Sequence, residues 1–368
     1  MPMLKDMDKM IRRKKNTKFL NKPIVAIDLF CGVGGLTHGL NRSGVRVVAG
    51  VDIDEKCKFA FEENNNALFI KKSINDITTE EILDLYPPNS LKVLVGCAPC
   101  QPFSKHTQKV KNRETKETWG LLYHFLDIIK RTKPEIVSME NVPQIVKHKV
   151  FSDFIDGLKS ENYNVNWQKV YCPNYGIPQS RTRLVLLASK LGKINLITPT
   201  HKPQNYKTVK MAIGRLEPIQ AGCSSIKDDL HKSAALSKVN GERIRKSVPG
   251  GSWRDWDENL RAGCHQKESG NTYGSVYARM EWDKPAPTIT TQFYSYGTGR
   301  FGHPEQDRAI SLREGAILQT FPRKYKFVPP DSAVEFKRLG RHIGNAVPVK
   351  LGKIIGESII KHFMECYG

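Results

Sequence analysis

Nowhere in the 368 residues is there a run approaching the roughly eighteen consecutive apolar positions of a membrane-spanning helix. The opening stretch, MPMLKDMDKMIRRKKNTKFL, has neither a continuous apolar segment nor a small-residue cleavage site, so it does not read as a secretory signal. No internal repeat and no low-complexity tract is visible. Cysteine is present, with eight residues, but only Cys97-Ala98-Pro99-Cys100 has metal-type spacing. A structural zinc site would need a second such pair or a spaced histidine pair, and neither is there. In a long basic chain without a signal, these cysteines are expected to be reduced thiols rather than disulfides. Acidic residues are the scarce charge: 37 Asp and Glu stand against 58 Lys and Arg, a net charge of +21.

That excess favours a polyanionic partner, because lysine and arginine contacts to phosphates release condensed counterions. No amphipathic membrane helix stands out, so nucleic acid is the expected partner rather than an anionic membrane surface. With 39% hydrophobic and 26% charged residues, the chain can bury a sizeable core and is not disordered throughout. Its length suits two domains, at about 150 residues each.

Four stretches are expected. Residues 1–22 form a basic arm, with eight Lys or Arg against two Asp, either a phosphate-binding tail or a solvated helix. Residues 23–189 read as strands alternating with helices: Ile24–Phe30, Val45–Asp52, Leu91–Gly96, Ile136–Glu140 and Arg183–Ala188 are strand-like, and Leu36–Ser43 and Thr118–Thr132 helical. This predicts an α/β fold with a doubly wound sheet. From 190 to 335 the rhythm stops and aromatics are interleaved with Gly, Pro, Ser and Asn. Within it, residues 190–284 carry 17 basic and 10 acidic side chains, and a smaller, loop-rich domain is predicted. Residues 336–368 hold a Gly-Asn-Ala-Val-Pro turn and an apolar helix, Val349–Phe363, suited to docking back on the sheet.

The chemistry lies at strand ends and at the start of the last strand. Asp28-Leu29-Phe30-Cys31-Gly32-Val33-Gly34-Gly35 is a glycine turn between strand and helix, which lets a ligand approach the backbone. It departs from G-x-G-x-x-G spacing, but Asp52 ends the next strand, where a carboxylate can take two ribose hydroxyls. Alone, the turn suits an NAD site, an S-adenosylmethionine site or no ligand. Asp76-Ile77, at the end of a third likely strand, can meet an adenine edge or cap a helix. In Pro99-Cys100-Gln101-Pro102 the prolines fix the backbone and aim one thiol, making Cys100 a candidate nucleophile against the commoner buried structural thiol. Glu140-Asn141-Val142-Pro143 offers a carboxyl that burial can keep protonated near neutral pH, as a general acid, or else an N-cap. Strand alternation through Gln179-Ser180-Arg181-Thr182-Arg183 predicts that Gln179, Arg181 and Arg183 share one face.

These motifs, followed by Arg313-Glu314, Gln319-x-Phe321-Pro322 and Gly344-Asn345-Ala346-Val347-Pro348, stand in an order that resembles the DNA cytosine-C5 methyltransferases in their bacterial restriction–modification form. The resemblance covers roughly residues 23–365. It implies a Rossmann-like, S-adenosylmethionine-dependent catalytic domain and a target-recognition domain spanning 190–335. It places Asp28, Phe30, Gly32, Gly34, Gly35, Asp52, Ile53, Asp76, Ile77, Pro99, Asn345 and Val347 at the cofactor, with Ile53 where the family often has an aromatic residue. It makes Cys100 the nucleophile and Glu140 the group on the cytosine N3/N4 edge. Arg181 and Arg183 would hold the O2 edge and the carboxylate network. Gln101, Ser104, Arg254, Arg261 and Arg279 are candidate DNA contacts, and Trp253, Trp256 and Trp282 are expected to pack. Lys105–Trp119 would be a lid over a base flipped from the duplex. No metal is implied. The resemblance further implies a monomer acting on double-stranded DNA in the bacterial cytoplasm, associated with the nucleoid and paired in function, not in a stable complex, with a restriction endonuclease.

Three other readings remain open at this level. A tRNA cytosine-C5 methyltransferase would share the catalytic domain, but has no need of a long basic insertion. A nicotinamide-dependent oxidoreductase fits the first glycine turn and not the Pro-Cys-Gln strand end. A DNA-binding protein without catalysis would need no thiol between prolines.

Overall fold

The structure, a computed structural model, describes residues 22–99, 116–267, 270 and 274–367. The chain divides into two compact units. One is built from the described residues up to Val170, from Thr182–Thr198, and from the described chain from Leu351 on; the other comprises Tyr171–Arg181 and Pro199–Lys350.

The first unit is a seven-stranded sheet. Its strands are β1 (Ile24–Leu29), β2 (Arg46–Asp52), β3 (Leu68–Lys71), β4 (Leu91–Gly96), β5 (Ile136–Asn141), β6 (Asn164–Tyr171) and β8 (Thr182–Ser189), in the order β3-β2-β1-β4-β5-β8-β6. Burial on both faces explains the continuous apolar runs: every residue of β1 and of β5 is buried. The β1–β2, β2–β3, β1–β4 and β4–β5 pairs are parallel. The strand order reverses between β1 and β4, which is where sheets of this class bind ligands, beyond the carboxyl ends of the strands.

β8 differs from this pattern, pairing with β5 antiparallel and setting Leu184 opposite Asn141 and Ser189 opposite Ile136. The start of β8 therefore meets the carboxyl end of β5. Helices Lys116–Thr132 and Lys149–Ser160 pack through Phe125 and Phe154, ring centroids 5.7 Å apart. The helix Val349–Tyr367 lies close on the helix Gly35–Ser43: a Cβ at Gly352 or Gly356 would run into Leu36 or Ser43.

The second unit has few regular elements: β7 (Gln179–Ser180) beside β9 (Ala286–Pro287), and the helices Val209–Ile213, Lys238–Lys246, Leu312–Leu318 and Phe336–Asn345. With so little ladder, its backbone carbonyls need other donors. Buried arginines supply them. Arg279 donates to the carbonyls of Ile244, Ser247, His303 and Gln306 and pairs with Asp307. Arg308, fully buried, makes two bonds to Glu314, at 2.7 and 2.8 Å. Burial opposes ionisation of Glu314, but the Arg308 pair overcomes it and holds the carboxyl down to about 2. Trp253 and Trp256 are buried in an apolar cluster with Ile244, Leu260 and Tyr296, in keeping with their expected packing role. Trp282 donates from its indole N–H to Glu305 at 2.7 Å.

Candidate active site

The glycine turn at the end of β1 bends sharply because its backbone enters the left-handed region at Phe30 (φ 61°), Gly32 (φ 49°) and Gly34 (φ 83°). Only glycine does so without strain, so Phe30 is held there by its neighbours. A Cβ on Gly32 would meet nothing within 4 Å, so the turn faces open space. The Gly32 N–H donates to Asp52 Oδ2 and the Asp54 N–H to Asp52 Oδ1, both at 2.9 Å. This fixes the Asp52 carboxylate beside the turn, and each oxygen retains a lone pair for a ligand hydroxyl. Ile53, next in the chain, is 71% exposed.

Asp28 lies in β1, below the turn. Its Oδ2 accepts from the Thr37 hydroxyl at 2.6 Å, while Oδ1 is buried without a hydrogen-bond partner among the described residues. Burial pushes the Asp28 carboxyl up to about 7; the Thr37 hydroxyl opposes the rise and the Asp52 charge adds to it. Burial also pushes up the Cys31 thiol, with Asp28 contributing, so this cysteine stays protonated.

Asp76 and Ile77 occupy the turn after β3 and not its end: β3 stops at Lys71. Asp76 is exposed and Ile77 buried in the core. The cap of the helix Thr79–Leu83 is Thr78, in a reciprocal pair with Glu81, so the N-cap alternative for Asp76-Ile77 falls away.

The second cluster sits at the carboxyl ends of β4 and β5. Glu140 is 3% exposed. The Cys97 thiol donates to its Oε2 at 2.7 Å. Arg183 Nε, brought in by the antiparallel β8, forms an ion pair with Oε1 at 3.1 Å. Among the described residues no hydrogen-bond donor is aligned on that oxygen. Asn141, also buried, donates to the Ala98 carbonyl at 3.2 Å and accepts from the Val142 N–H. It thereby ties the end of β5 to the run that leads through Pro99. Cys97 is the residue that sequence reasoning missed. In the sequence it stands only as half of a C-x-x-C pair, and nothing in the spacing says that its sulfur meets a carboxylate 43 residues on.

Arg181 and Arg183 do not extend from one uninterrupted strand, which corrects the single strand assumed from the sequence, although Arg181 still meets Gln179, donating to its Oε1 at 3.4 Å. The strand is interrupted at Arg181, between β7 and β8, because β7 pairs with β9 instead of continuing along β5. Arg181, buried in the second unit, donates to the Ile289 carbonyl at 3.0 Å. Asn345 is exposed and Val347 buried at the end of the helix Phe336–Asn345. Arg254 is exposed, with its guanidinium over the Trp253 ring at 5.1 Å, and Arg261 donates to the Arg254 carbonyl. The buried Arg279 is committed to backbone carbonyls, which removes it as a reader of bases. Cys100, Gln101, Ser104, most of the expected lid (105–115) and the arm to residue 21 lie outside the described residues. All seven described cysteines are free thiols.

Sequence comparison then decides the family. The profile of the C-5 cytosine-specific DNA methylases matches residues 24–361. The chain belongs to that family. This DNA cytosine-5 methylase is 55% identical to the type II methylase M.HgiDII of Herpetosiphon aurantiacus, over 92% of this chain and 95% of the relative. It is 29% identical to the type II methyltransferase M.Sau96I of Staphylococcus aureus, over 93% and 77%. Among solved structures, its fold resembles a prophage-encoded E. coli protein described as a DNA modification methyltransferase: TM-score 0.70, 22% identity, 92% and 99% covered. The methylase is thus an enzyme acting on DNA, and the tRNA, nicotinamide and non-catalytic readings fall. No helix among its described residues is long and apolar enough to cross a membrane.

Proposed function

We propose that this methylase transfers a methyl group from S-adenosylmethionine to carbon 5 of a cytosine flipped out of a specific duplex site, and that in the cell it protects DNA from a cognate restriction endonuclease. The observation that carries the chemical reading is the buried Glu140, with one oxygen bonded by Cys97 and the other paired to Arg183 without an aligned donor. A carboxyl so placed can meet the N3/N4 edge of an extruded base.

Carbon 5 of cytosine is a weak nucleophile. In this reading the Cys100 thiolate bonds to carbon 6 while Glu140 delivers a proton to N3, and carbon 5 becomes enamine-like. Bound S-adenosylmethionine supplies the electrophilic methyl group. Loss of the carbon-5 proton to a base, departure of Cys100 as thiolate and return of the N3 proton to Glu140 then restore the ring. Arg183 keeps the Glu140 carboxyl oriented, and Arg181 meets the O2 edge.

The open face of Gly32, the anchored Asp52 carboxylate and the exposed Ile53 fit a nucleoside cofactor: Asp52 for the ribose hydroxyls, Ile53 and Phe30 for the adenine and sulfonium sides. Asp76 and the Ile77 backbone suit the adenine edge. Asp28, being buried, supports the turn from below. Asn345, Val347 and Pro99 complete the contacts implied by the family pattern. The second unit serves as target-recognition domain, with exposed Arg254 and the adjoining Arg261 as candidate contacts.

The test is a duplex carrying 5-fluorocytosine at the target position, mixed with enzyme and methyl donor. The expected result is a covalent complex through Cys100 that is absent from Cys100→Ser, a variant that still binds the cofactor. A crosslink-free wild type, or methyl transfer by Cys100→Ser, would refute the assignment.

A further inference from the structure

Two glutamines with no exposed surface, Gln179 and Gln319, stand in the second unit, and the mechanism uses neither. Burying an amide costs free energy unless its donors and acceptors are used. Here they are used on each other and on two functional segments. Gln179 Nε2 donates to Gln319 Oε1 at 2.9 Å and to the Leu318 carbonyl at 3.2 Å. Gln179 Oε1 accepts from the Ile289 N–H at 2.9 Å and, more weakly, from Arg181 at 3.4 Å. Gln319 Nε2 donates to the carbonyls of Ile343 at 2.8 Å and Ala346 at 3.1 Å, with Gly344 at 3.4 Å.

Those carbonyls lie at the end of the helix Phe336–Asn345, where a helix leaves its last C=O groups without intrahelical donors. The common remedy, a left-handed glycine after the last turn, is absent: Ala346 has φ −59°. Gln319 supplies the donor instead. Its neighbour grips the far side of the same turn, since Thr320 Oγ1 accepts the Lys350 N–H at 2.9 Å and the Gln319 carbonyl accepts the Val349 N–H at 3.1 Å. The turn Gly344-Asn345-Ala346-Val347-Pro348 is thus fastened at entry and exit by residues 319 and 320. Through Gln179 it is linked to the segment that carries Arg181.

We infer that Gln179 and Gln319 are positioning residues: they hold the Asn345–Val347 turn in its cofactor-binding conformation and couple it to the placement of Arg181. The inference rests on the reading that this turn contacts the cofactor. Direct contact by the glutamines is not involved, as both amides are spent on protein groups.

The test is calorimetric binding of S-adenosylmethionine to wild type, Asn345→Ala, Gln319→Met, Gln319→Glu and the Asn345→Ala/Gln319→Met double variant. Gln319→Met keeps the side-chain length and removes the donor, and is expected to weaken cofactor binding roughly ten- to a hundredfold, the usual loss for an orphaned buried polar group. The two single effects should be non-additive in the double variant, as they act through one turn. Additive losses would indicate general loosening and overturn the inference. If Asn345→Ala weakens binding and Gln319→Met does not, the positioning role fails while the cofactor reading stands; if neither does, both fail. Should Gln319→Met not fold, Gln319→Glu decides. Its protonated form can donate to the same carbonyls, so its deficit relative to wild type should shrink as pH is lowered. A deficit that does not change with pH would overturn the inference.

Discussion

Glu140 is supported on one side by a thiol and on the other by a guanidinium, and the two supports are not equivalent. Replacing the carboxyl itself, in Glu140→Gln, is expected to lower kcat by roughly 10²–10⁴, the usual worth of a positioned general acid. Cys97→Ala leaves the carboxyl in place and removes one donor, so single-turnover methylation should slow by less, on the order of tenfold. Equal losses in the two variants would mean that Cys97 itself takes part in the chemistry. Asp28 gives a second measurable signature. Its folded-state value of about 7 exceeds the unfolded value of 3.8, so its contribution is complete below about pH 4 and is lost as pH rises through about 7. The full swing is on the order of 4 kcal/mol for a group this buried. Asp28→Asn should flatten that dependence, gaining on wild type as pH rises through the window in chemical unfolding; parallel curves would exclude the assignment.

Among the elements, the antiparallel β8 does most to assemble the site, because its first residues reach Glu140 only by running against β5. The sequence made β1, β2, β4, β5 and most of β8 legible through their apolar runs. It did not show β6, whose Asn-Val-Asn-Trp-Gln-Lys stretch is largely exposed at the sheet edge and has no such run. Nor did it show the break at Arg181, because pairing with a strand more than a hundred residues away leaves no mark on local alternation. The strand-end motifs made Glu140 and Arg183 legible; the thiol of Cys97 and the Gln179–Gln319 pair depend on tertiary neighbours alone. In the second unit, buried ion pairs do work that strands do elsewhere. Glu314→Gln would leave Arg308 buried and half-paired, and a loss of about 3–5 kcal/mol is expected in denaturant unfolding. A change within error would show that the bonds of Arg308 to the Ile219 and Ala309 carbonyls suffice.

Taken whole, the molecule carries +21 charges, and its DNA affinity should fall steeply with salt, the logarithm of the binding constant dropping by about 0.9 per phosphate contact per decade of salt. Two arginines separate recognition from architecture. Arg254→Ala should alter DNA affinity or sequence preference in a protein of normal stability, whereas Arg279→Ala should lower the unfolding midpoint first. Thermal melting beside a binding titration distinguishes them, and the opposite pattern would exchange their roles. The sheet unit is also discontinuous in the chain: it closes only when the residues beyond Leu351 cover the helix behind the first glycine turn. On the ribosome, that last stretch emerges after the whole of the second unit. A nascent methylase must therefore leave an apolar helix face uncovered until the second unit has been made, and a chain that stops before Leu351 lacks the residues that cover it.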